Sequence, residues 1–184
     1  MRLSPLNPDH RGGVSGLLIA TGAFSTEEVA VALELFDATF HVGDRSAHRV
    51  QPEGPSLAAG DETDYEFLGA FDTDDRLLGY ACFGPTPSTD GTYDLYWLAV
   101  HPAAQGRGAG RALVREVQQL LAARGARLLV TETSSRDSYA RTREFYARCG
   151  YTEAARVRDF YAPADDRIIL TTRLMARAVG VATR

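Results

Sequence analysis

The spacing of apolar residues predicts an alternation of strands and helices along most of the chain. Runs that alternate or are continuously apolar predict strands, and apolar residues three and four positions apart predict amphipathic helices. The predicted strands cover residues 3–6, 67–71, 77–83, 93–100, 127–133, 151–161 and 167–174. The predicted helices cover about residues 8–21, 26–40, 111–124 and 138–149.

Short polar signals support the predicted helix ends. Asn7 and Pro8 are typical of a helix start, and Ser25 with Glu28 three residues later has the spacing of a capping box. Gly22 and Gly125 follow helical patterns, where glycine commonly ends a helix. Residues 41–64 are rich in Gly, Pro, Ser, Asp and Glu and are predicted to form a long loop.

Charge is distributed unevenly between the two halves of the chain. All 20 basic residues are arginines, so lysine-dependent phosphate loops and Schiff-base chemistry are excluded. Residues 1–100 carry a net charge of −11 and residues 101–184 a net charge of +7, within an overall −4. The basic half is suited to an anion and the acidic half to a cation, whereas the overall charge argues against a nucleic-acid partner.

Cysteine usage and hydropathy suggest a cytoplasmic protein with no membrane partner. Cys82 and Cys149 are expected to be reduced, and no apolar run approaches the length of a membrane span or a signal peptide. The four histidines and two cysteines show no spacing typical of metal ligands, so no metal site is expected. Whether the chain forms a homodimer stays open.

The segment after the strand at 93–100 predicts an anion site. A glycine-rich loop between a strand and the start of a helix exposes backbone N–H groups at the positive end of the helix dipole. Arg111 stands where the dinucleotide fingerprint needs glycine, and a Walker loop needs the missing lysine. The pattern present instead is Gln-x-x-Gly-x-Gly, which spans Gln105 to Gly110 and follows Leu98-Ala99-Val100-His101-Pro102.

This loop, together with Phe145-Tyr146-Ala147-Arg148-Cys149-Gly150-Tyr151, resembles the GNAT superfamily of N-acetyltransferases. The resemblance runs from Leu3 to about Leu174. The pattern and the resemblance together predict one α/β domain over residues 1–184, with a core at about 3–174 and a tail at 175–184. We expect a mixed, mostly antiparallel sheet of six to seven strands, flanked by about four helices.

The resemblance implies acetyl-coenzyme A as co-substrate and no metal cofactor. Loop amides would hold the pyrophosphate, and the main chain of residues 98–100 would pair with the pantetheine arm. The family often has asparagine seven residues before the motif tyrosine, where this chain has Tyr139; Ser134, Ser138 or Arg143 could replace that contact. The expected cofactor-binding residues are Leu98, Ala99, Val100, Gln105, Gly106, Arg107, Gly108, Ala109, Gly110, Arg111, Ser134, Ser138 and Arg143.

Acetyl transfer needs a proton donor for the leaving thiolate and an acceptor for the amine proton. By the resemblance, the hydroxyl of Tyr146 is the donor candidate. Asp94 is the favoured base, because lysine-modifying relatives carry a glutamate five residues before the position of Ala99. Strand alternation would place Asp94, Tyr96, Leu98 and Val100 on one face. Glu132 on the neighbouring strand, or an ordered water, is the alternative base.

These inferences predict an enzyme that moves an acetyl group from acetyl-CoA to a primary amine by direct attack in a ternary complex. The acidic first half favours a small cationic acceptor. A protein lysine or N-terminus is the alternative acceptor, and a CoA-binding sensor without turnover is the alternative class. A longer acyl group stays possible.

Overall fold

A single sheet with helices on both faces is built by residues 1–40 and 65–174, the part of the chain that the computed structural model describes. Its strands are β1 (Arg2–Pro5), β2 (Glu66–Phe71), β3 (Leu77–Pro85), β4 (Thr92–Val100), β5 (Leu128–Ser134), β6 (Thr152–Ala162) and β7 (Asp165–Arg173). Its α-helices are α1 (Arg11–Thr21), α2 (Thr26–Phe40), α3 (Ala109–Ala123) and α4 (Ala140–Arg148). The predicted loop at 41–64 and the predicted tail at 175–184 lie outside the described residues.

The strand order β1-β2-β3-β4-β5-β7-β6 joins two antiparallel groups through one parallel pair, β4 with β5. The predicted single α/β domain, with a mixed, mostly antiparallel sheet of six to seven strands and about four helices, is therefore confirmed: the described residues form seven strands and four α-helices. Within them, no helix is long and apolar enough to cross a membrane.

The helix ends follow the local signals in the sequence. Ser25 and Glu28 form the predicted capping box: the Ser25 N–H donates to Glu28 Oε2 at 2.7 Å, and the Glu28 N–H donates to Ser25 Oγ at 3.2 Å. Gly22 ends α1 in the left-handed conformation at φ 60°. Beyond Asn7, the chain first makes a short 3₁₀ turn at Pro8–His10, so α1 itself begins later than predicted.

Two boundaries in the second half also differ from the prediction. The segment at 137–139 is 3₁₀ helix, and α4 begins only at Ala140. The predicted turn at 162–166 is tighter, since β6 reaches Ala162 and β7 begins at Asp165. Ala164 takes a left-handed φ of 62°, and its N–H donates to Asp159 Oδ1 at 2.6 Å, which closes this short turn.

Each face of the sheet buries its own apolar cluster. On one face, α3 packs Leu113, Val117 and Leu121 against the sheet, in a cluster that also includes Tyr146 of α4. On the opposite face, α1 and α2 pack against the sheet through Leu18 and Phe36, among others. We call these the α3 face and the α1/α2 face.

A β-bulge at Tyr96 changes which side chains share a face of β4. Trp97 pairs with Cys82 and Leu95 pairs with Phe83, so Tyr96 is an extra residue in the strand. Leu95 and Leu98 consequently both pack on the α3 face, although they are three residues apart. The predicted common face for Asp94, Tyr96, Leu98 and Val100 is therefore wrong, because strict alternation holds only in an unbulged strand.

Candidate active site

A cleft opens where β4 and β5 separate. The two strands pair only from Thr92–Leu128 to Asp94–Val130, and no further pairing between them is formed towards their C-terminal ends. The cleft has a volume of about 740 Å³ and lies between the separated strands, bounded also by the α1–α2 connection and the start of β7.

The glycine-rich loop lies beside this cleft, at the start of α3. Gly106 and Gly108 have φ values of 74° and 89°, which L side chains rarely adopt, and a Cβ at either position would meet no atom within 4 Å. The first amides of α3 have no intrahelical acceptor, and Gly108 provides no side-chain cap. The loop therefore presents open space bordered by backbone N–H groups, as an anion site requires.

Other loop residues hold this conformation in place. Gln105 Nε2 donates to the carbonyl oxygen of Val100 at 3.1 Å, which ties the loop to the end of β4. A Cβ at Gly110 would lie 3.3 Å from Val100 Cγ2, so a small residue permits close contact between α3 and β4. Ala109 is buried beneath the loop, whereas Arg107 and Arg111 are exposed at its rim.

The predicted cofactor residues divide into those that line the cleft and those that support it. Leu98, Ala99, Val100, Gln105 and Ser134 line it. The Ser134 hydroxyl is already engaged, because it donates to Asp165 and accepts from the Arg136 N–H at 3.1 Å.

Arg143 and Ser138 lie outside the residues that line the cleft. The Arg143 guanidinium donates to the carbonyl oxygens of Ser134 and Arg136, at 2.8 Å each, and so fixes the end of β5 against α4. Ser138 lies exposed in the 3₁₀ turn before α4. Their predicted contact with the cofactor stays a prediction.

Tyr146 lies in the wall of the cleft and is 6% exposed. Its ring packs against Phe145 and Tyr151, with centroid distances of 5.3 and 5.2 Å. Burial raises the pKa of Tyr146 to about 12, and a hydrogen bond with Thr131 partly opposes that shift. The hydroxyl is therefore protonated at neutral pH, as a proton donor must be.

Asp94 lies in a smaller pocket of about 260 Å³ next to the main cleft. Its carboxylate accepts a hydrogen bond of 2.6 Å from Thr86 Oγ1. Tyr96, Thr131 and Glu132 line both pockets and so connect them. Burial and the charge of Asp94 raise the pKa of Tyr96 to about 12.

Glu132, the alternative base, is already paired with a cation. Its carboxylate forms an ion pair with Arg167, whose guanidinium lies 4.8 Å from the centroid of the Phe160 ring. A carboxylate held by arginine is less available to take a proton. Asp94 has no such partner among the described residues.

The donor and the two carboxylates lie on opposite faces of the opened sheet. Thr131 and Thr133 pair with Leu170 and Ile168, which belong to the α3-face cluster. Alternation along the regular strand β5 therefore directs Glu132 to the α1/α2 face, and the bulge leaves Asp94 on that face too. Tyr146 lies on the α3 face, so the opening separates the candidate proton donor from the two candidate proton acceptors.

Several residues that line the cleft were not identified from the sequence. They come from segments far apart in the chain and belong to no motif that pointed to a function: Phe24, Trp97, Arg136, Tyr161 and Asp165. Glu28, which also lines the cleft, belongs to the acidic first half that predicted a cationic acceptor. Among the described residues, no group of His, Cys, Asp and Glu side chains is arranged to hold a metal ion.

Comparison with known proteins defines the family. Residues 31–151 match the model of the acetyltransferase (GNAT) family, which is more than half of the chain. The chain therefore belongs to the GNAT acetyltransferases. Among curated proteins, no match is found.

Solved structures agree with this family. A protein from Desulfovibrio desulfuricans described as a GNAT-family acetyltransferase is 38% identical with a TM-score of 0.80, over 94% of this chain and 98% of that one. The ribosomal-protein-S18-alanine N-acetyltransferase of Escherichia coli is 19% identical with a TM-score of 0.69, over 99% of each chain. An aminoglycoside 6'-N-acetyltransferase complexed with coenzyme A is 17% identical with a TM-score of 0.68, over 96% of this chain and 99% of that one.

Proposed function

We propose that this protein transfers an acetyl group from acetyl-CoA to the primary amine of a small cationic molecule by direct attack. The observation that carries the proposal is the placement of Tyr146 and Asp94 on opposite faces of the cleft between β4 and β5. A thiol leaving group and an attacking amine can then occupy opposite sides of one opening, each beside the group that it needs.

The glycine-rich loop fits the anionic part of acetyl-CoA. Gly106 and Gly108 leave open space where side chains would otherwise stand, and the first amides of α3 border that space. Residues 98–100 run along the cleft and have no strand partner on the β5 side. This edge of β4 offers main-chain hydrogen bonds to the pantetheine arm. Acetyl-CoA, when bound, supplies the activated thioester.

The chemistry divides between two side chains. As the amine nitrogen bonds to the thioester carbonyl carbon, the carbon–sulfur bond breaks and the Tyr146 hydroxyl gives its proton to the departing sulfur. An alkylamine is mostly protonated at neutral pH, so its nitrogen loses two protons in becoming an amide. Asp94 accepts one of them before the attack, directly or through water, and the other, lost after the attack, replaces the proton that Tyr146 gives to the sulfur. Asp94 is favoured over Glu132 because Arg167 already occupies the Glu132 carboxylate.

The acidic residues around the cleft support a cationic acceptor. Glu28, Glu132 and Asp165 line the main cleft, and Asp94 lies in the adjoining pocket. An acceptor held near these carboxylates gains electrostatic attraction that a neutral or anionic amine lacks. The fold neighbour that acetylates aminoglycosides, which are polycationic amines, is consistent with this class.

The direct test is release of free thiol from acetyl-CoA in the presence of a panel of amines. Small cationic amines should be acetylated at their primary amine, with the product mass confirmed by spectrometry. Peptides bearing a lysine or a free N-terminus should react poorly. Preferential peptide acetylation would contradict the small-molecule proposal, and absence of thiol release with every amine would contradict the enzymatic function.

A further inference from the structure

The acceptor side of the cleft carries more negative than positive charge. Four carboxylates surround it: Glu28, Asp94, Glu132 and Asp165. Arg136 pairs with Asp165 at 2.8 Å, and Arg167 pairs with Glu132. Within residues 1–40 and 65–174, neither Glu28 nor Asp94 forms an ion pair, so two negative charges lack an arginine partner.

Glu28 is held in position by the start of α2. One of its carboxylate oxygens accepts the Ser25 N–H at 2.7 Å in the capping box, which limits the freedom of an otherwise exposed side chain. The first turn of α2 thereby presents a fixed carboxylate to the cleft. Tyr161 lies near Glu28, since the charge of Glu28 contributes to its raised pKa.

Aromatic rings line the same part of the cleft as Glu28. Phe24 and Trp97 meet edge to face, with ring centroids 5.2 Å apart, and both line the cleft together with Tyr161. Aromatic faces attract cations and also pack well against methylene chains. A carboxylate bordered by such rings is suited to an ammonium group on an aliphatic chain.

We infer that the acceptor carries two cationic groups, and that Glu28 binds the one that does not react. Asp94 would accept a proton from the amine that attacks. Glu28 would bind the second ammonium group at the aromatic side of the cleft. This inference rests on the proposed function and narrows its substrate class to diamines and larger polyamines. It makes Glu28 a specificity-determining residue that takes no part in proton transfer.

The test compares diaminobutane with butylamine, which has the same carbon chain and only one amine. In the parent protein, kcat/KM should be at least about tenfold higher for diaminobutane, because a charge-assisted hydrogen bond is worth that much affinity. Glu28→Gln should raise KM for diaminobutane about tenfold with kcat unchanged, and should raise KM for butylamine far less. Glutamine can still accept the Ser25 N–H, so the helix start is preserved.

Glu27→Gln is the matched control. It removes the same charge one residue away, and Glu27 does not line the cleft. It should leave both amines unchanged. Equal effects of the two variants, or equal effects of Glu28→Gln on both amines, would overturn the inference. So would a parent protein with no preference for diaminobutane.

A binding measurement separates this inference from the proposed function. Calorimetry with CoA-loaded protein should show diaminobutane binding to the parent about tenfold more tightly than to Glu28→Gln. If that difference is found without any thiol release, Glu28 binds the second ammonium group as inferred, but the proposed catalytic function fails. Thiol release without a difference in diaminobutane affinity between parent and variant would support the proposed function and overturn the inference.

Discussion

The two faces of the cleft differ in which groups line them: backbone on one face and side chains on the other. On the α3 face, the proposed cofactor site consists largely of backbone: a loop of glycines, the first amides of α3 and the open edge of β4. On the α1/α2 face, the proposed acceptor site consists of side chains from α2, β4 and β5, joined by Tyr161 and Asp165 near the β6–β7 turn.

This difference has a physical basis. A backbone site needs particular φ values and free amides, which a contiguous glycine-rich loop and the first turn of the helix after it can provide by themselves. A site for a specific amine needs charges and aromatic rings at fixed separations, and one contiguous segment cannot enclose them. A site built from backbone therefore tolerates few substitutions, whereas the specificity of a site built from side chains can be altered by replacing one residue at a time.

The strongest test of the backbone site is Gly108→Trp. A large side chain there would fill the space beside the α3 amides, so coenzyme A binding measured by calorimetry should be abolished. Gly125→Trp is the matched control: it has a similar φ of 81° and equal open space, but lies beyond the other end of α3. If both variants fold and Gly108→Trp binds normally, the loop is not the pyrophosphate site.

The next largest effect concerns the proton donor on the α3 face. Tyr146→Phe should lower turnover by roughly 10² or more, with little change in cofactor affinity, because only the hydroxyl is removed. Since burial raises the pKa of Tyr146 to about 12, the donor is present at neutral pH and is lost only as the pH rises through that value. The fall in rate at high pH should therefore shift or vanish in the variant.

Tyr151→Phe provides the control for this prediction. Tyr151 is buried, its ring packs 5.2 Å from that of Tyr146, and it does not line the cleft. Its loss of a hydroxyl should leave turnover unchanged. Full activity of Tyr146→Phe with the true acceptor would mean that water protonates the thiolate.

A smaller effect is expected on the acceptor face, where Asp94→Asn removes the favoured base. The rate should fall by no more than about 10², mainly at low pH, and should recover as rising pH makes more of the amine neutral. Glu132→Gln should change the pH profile less, because Arg167 already pairs with that carboxylate. A steady-state pH series decides: the larger loss in Glu132→Gln would place the base on β5.

The smallest effect concerns steering of the anionic co-substrate. The on-rate of coenzyme A, measured by stopped flow, should fall as salt is added, because exposed charges are screened beyond ~8 Å at physiological ionic strength. Replacing Arg107 and Arg111 by alanine should flatten that dependence several-fold. Arg115→Ala, one turn further along α3, should have less effect. A salt-independent on-rate in the parent protein would mean that the basic second half of the chain does not steer coenzyme A to its site.

The contrast between the two faces also explains how far the sequence alone could be interpreted. Helix and strand order followed from local patterns, such as the capping box of Ser25 and Glu28. The glycine-rich loop and the segment from Phe145 to Tyr151 identified the family and the position of the proposed donor. These features are contiguous, so neighbouring residues specify them.

Only the tertiary structure decided which side chains meet. The bulge at Tyr96 arises from pairing with β3, and it moved Asp94 to the face opposite Leu98, which strict alternation could not anticipate. The pairing of Glu132 with Arg167 joins residues 35 positions apart, and Glu28 reaches the same cleft from α2. The sequence by itself determined the family, the elements and the place of the proposed backbone site, because each depends on residues that are neighbours in the chain. Long-range packing determined the charge and shape of the proposed acceptor site, because its residues come together only when the sheet and its two helical faces have assembled.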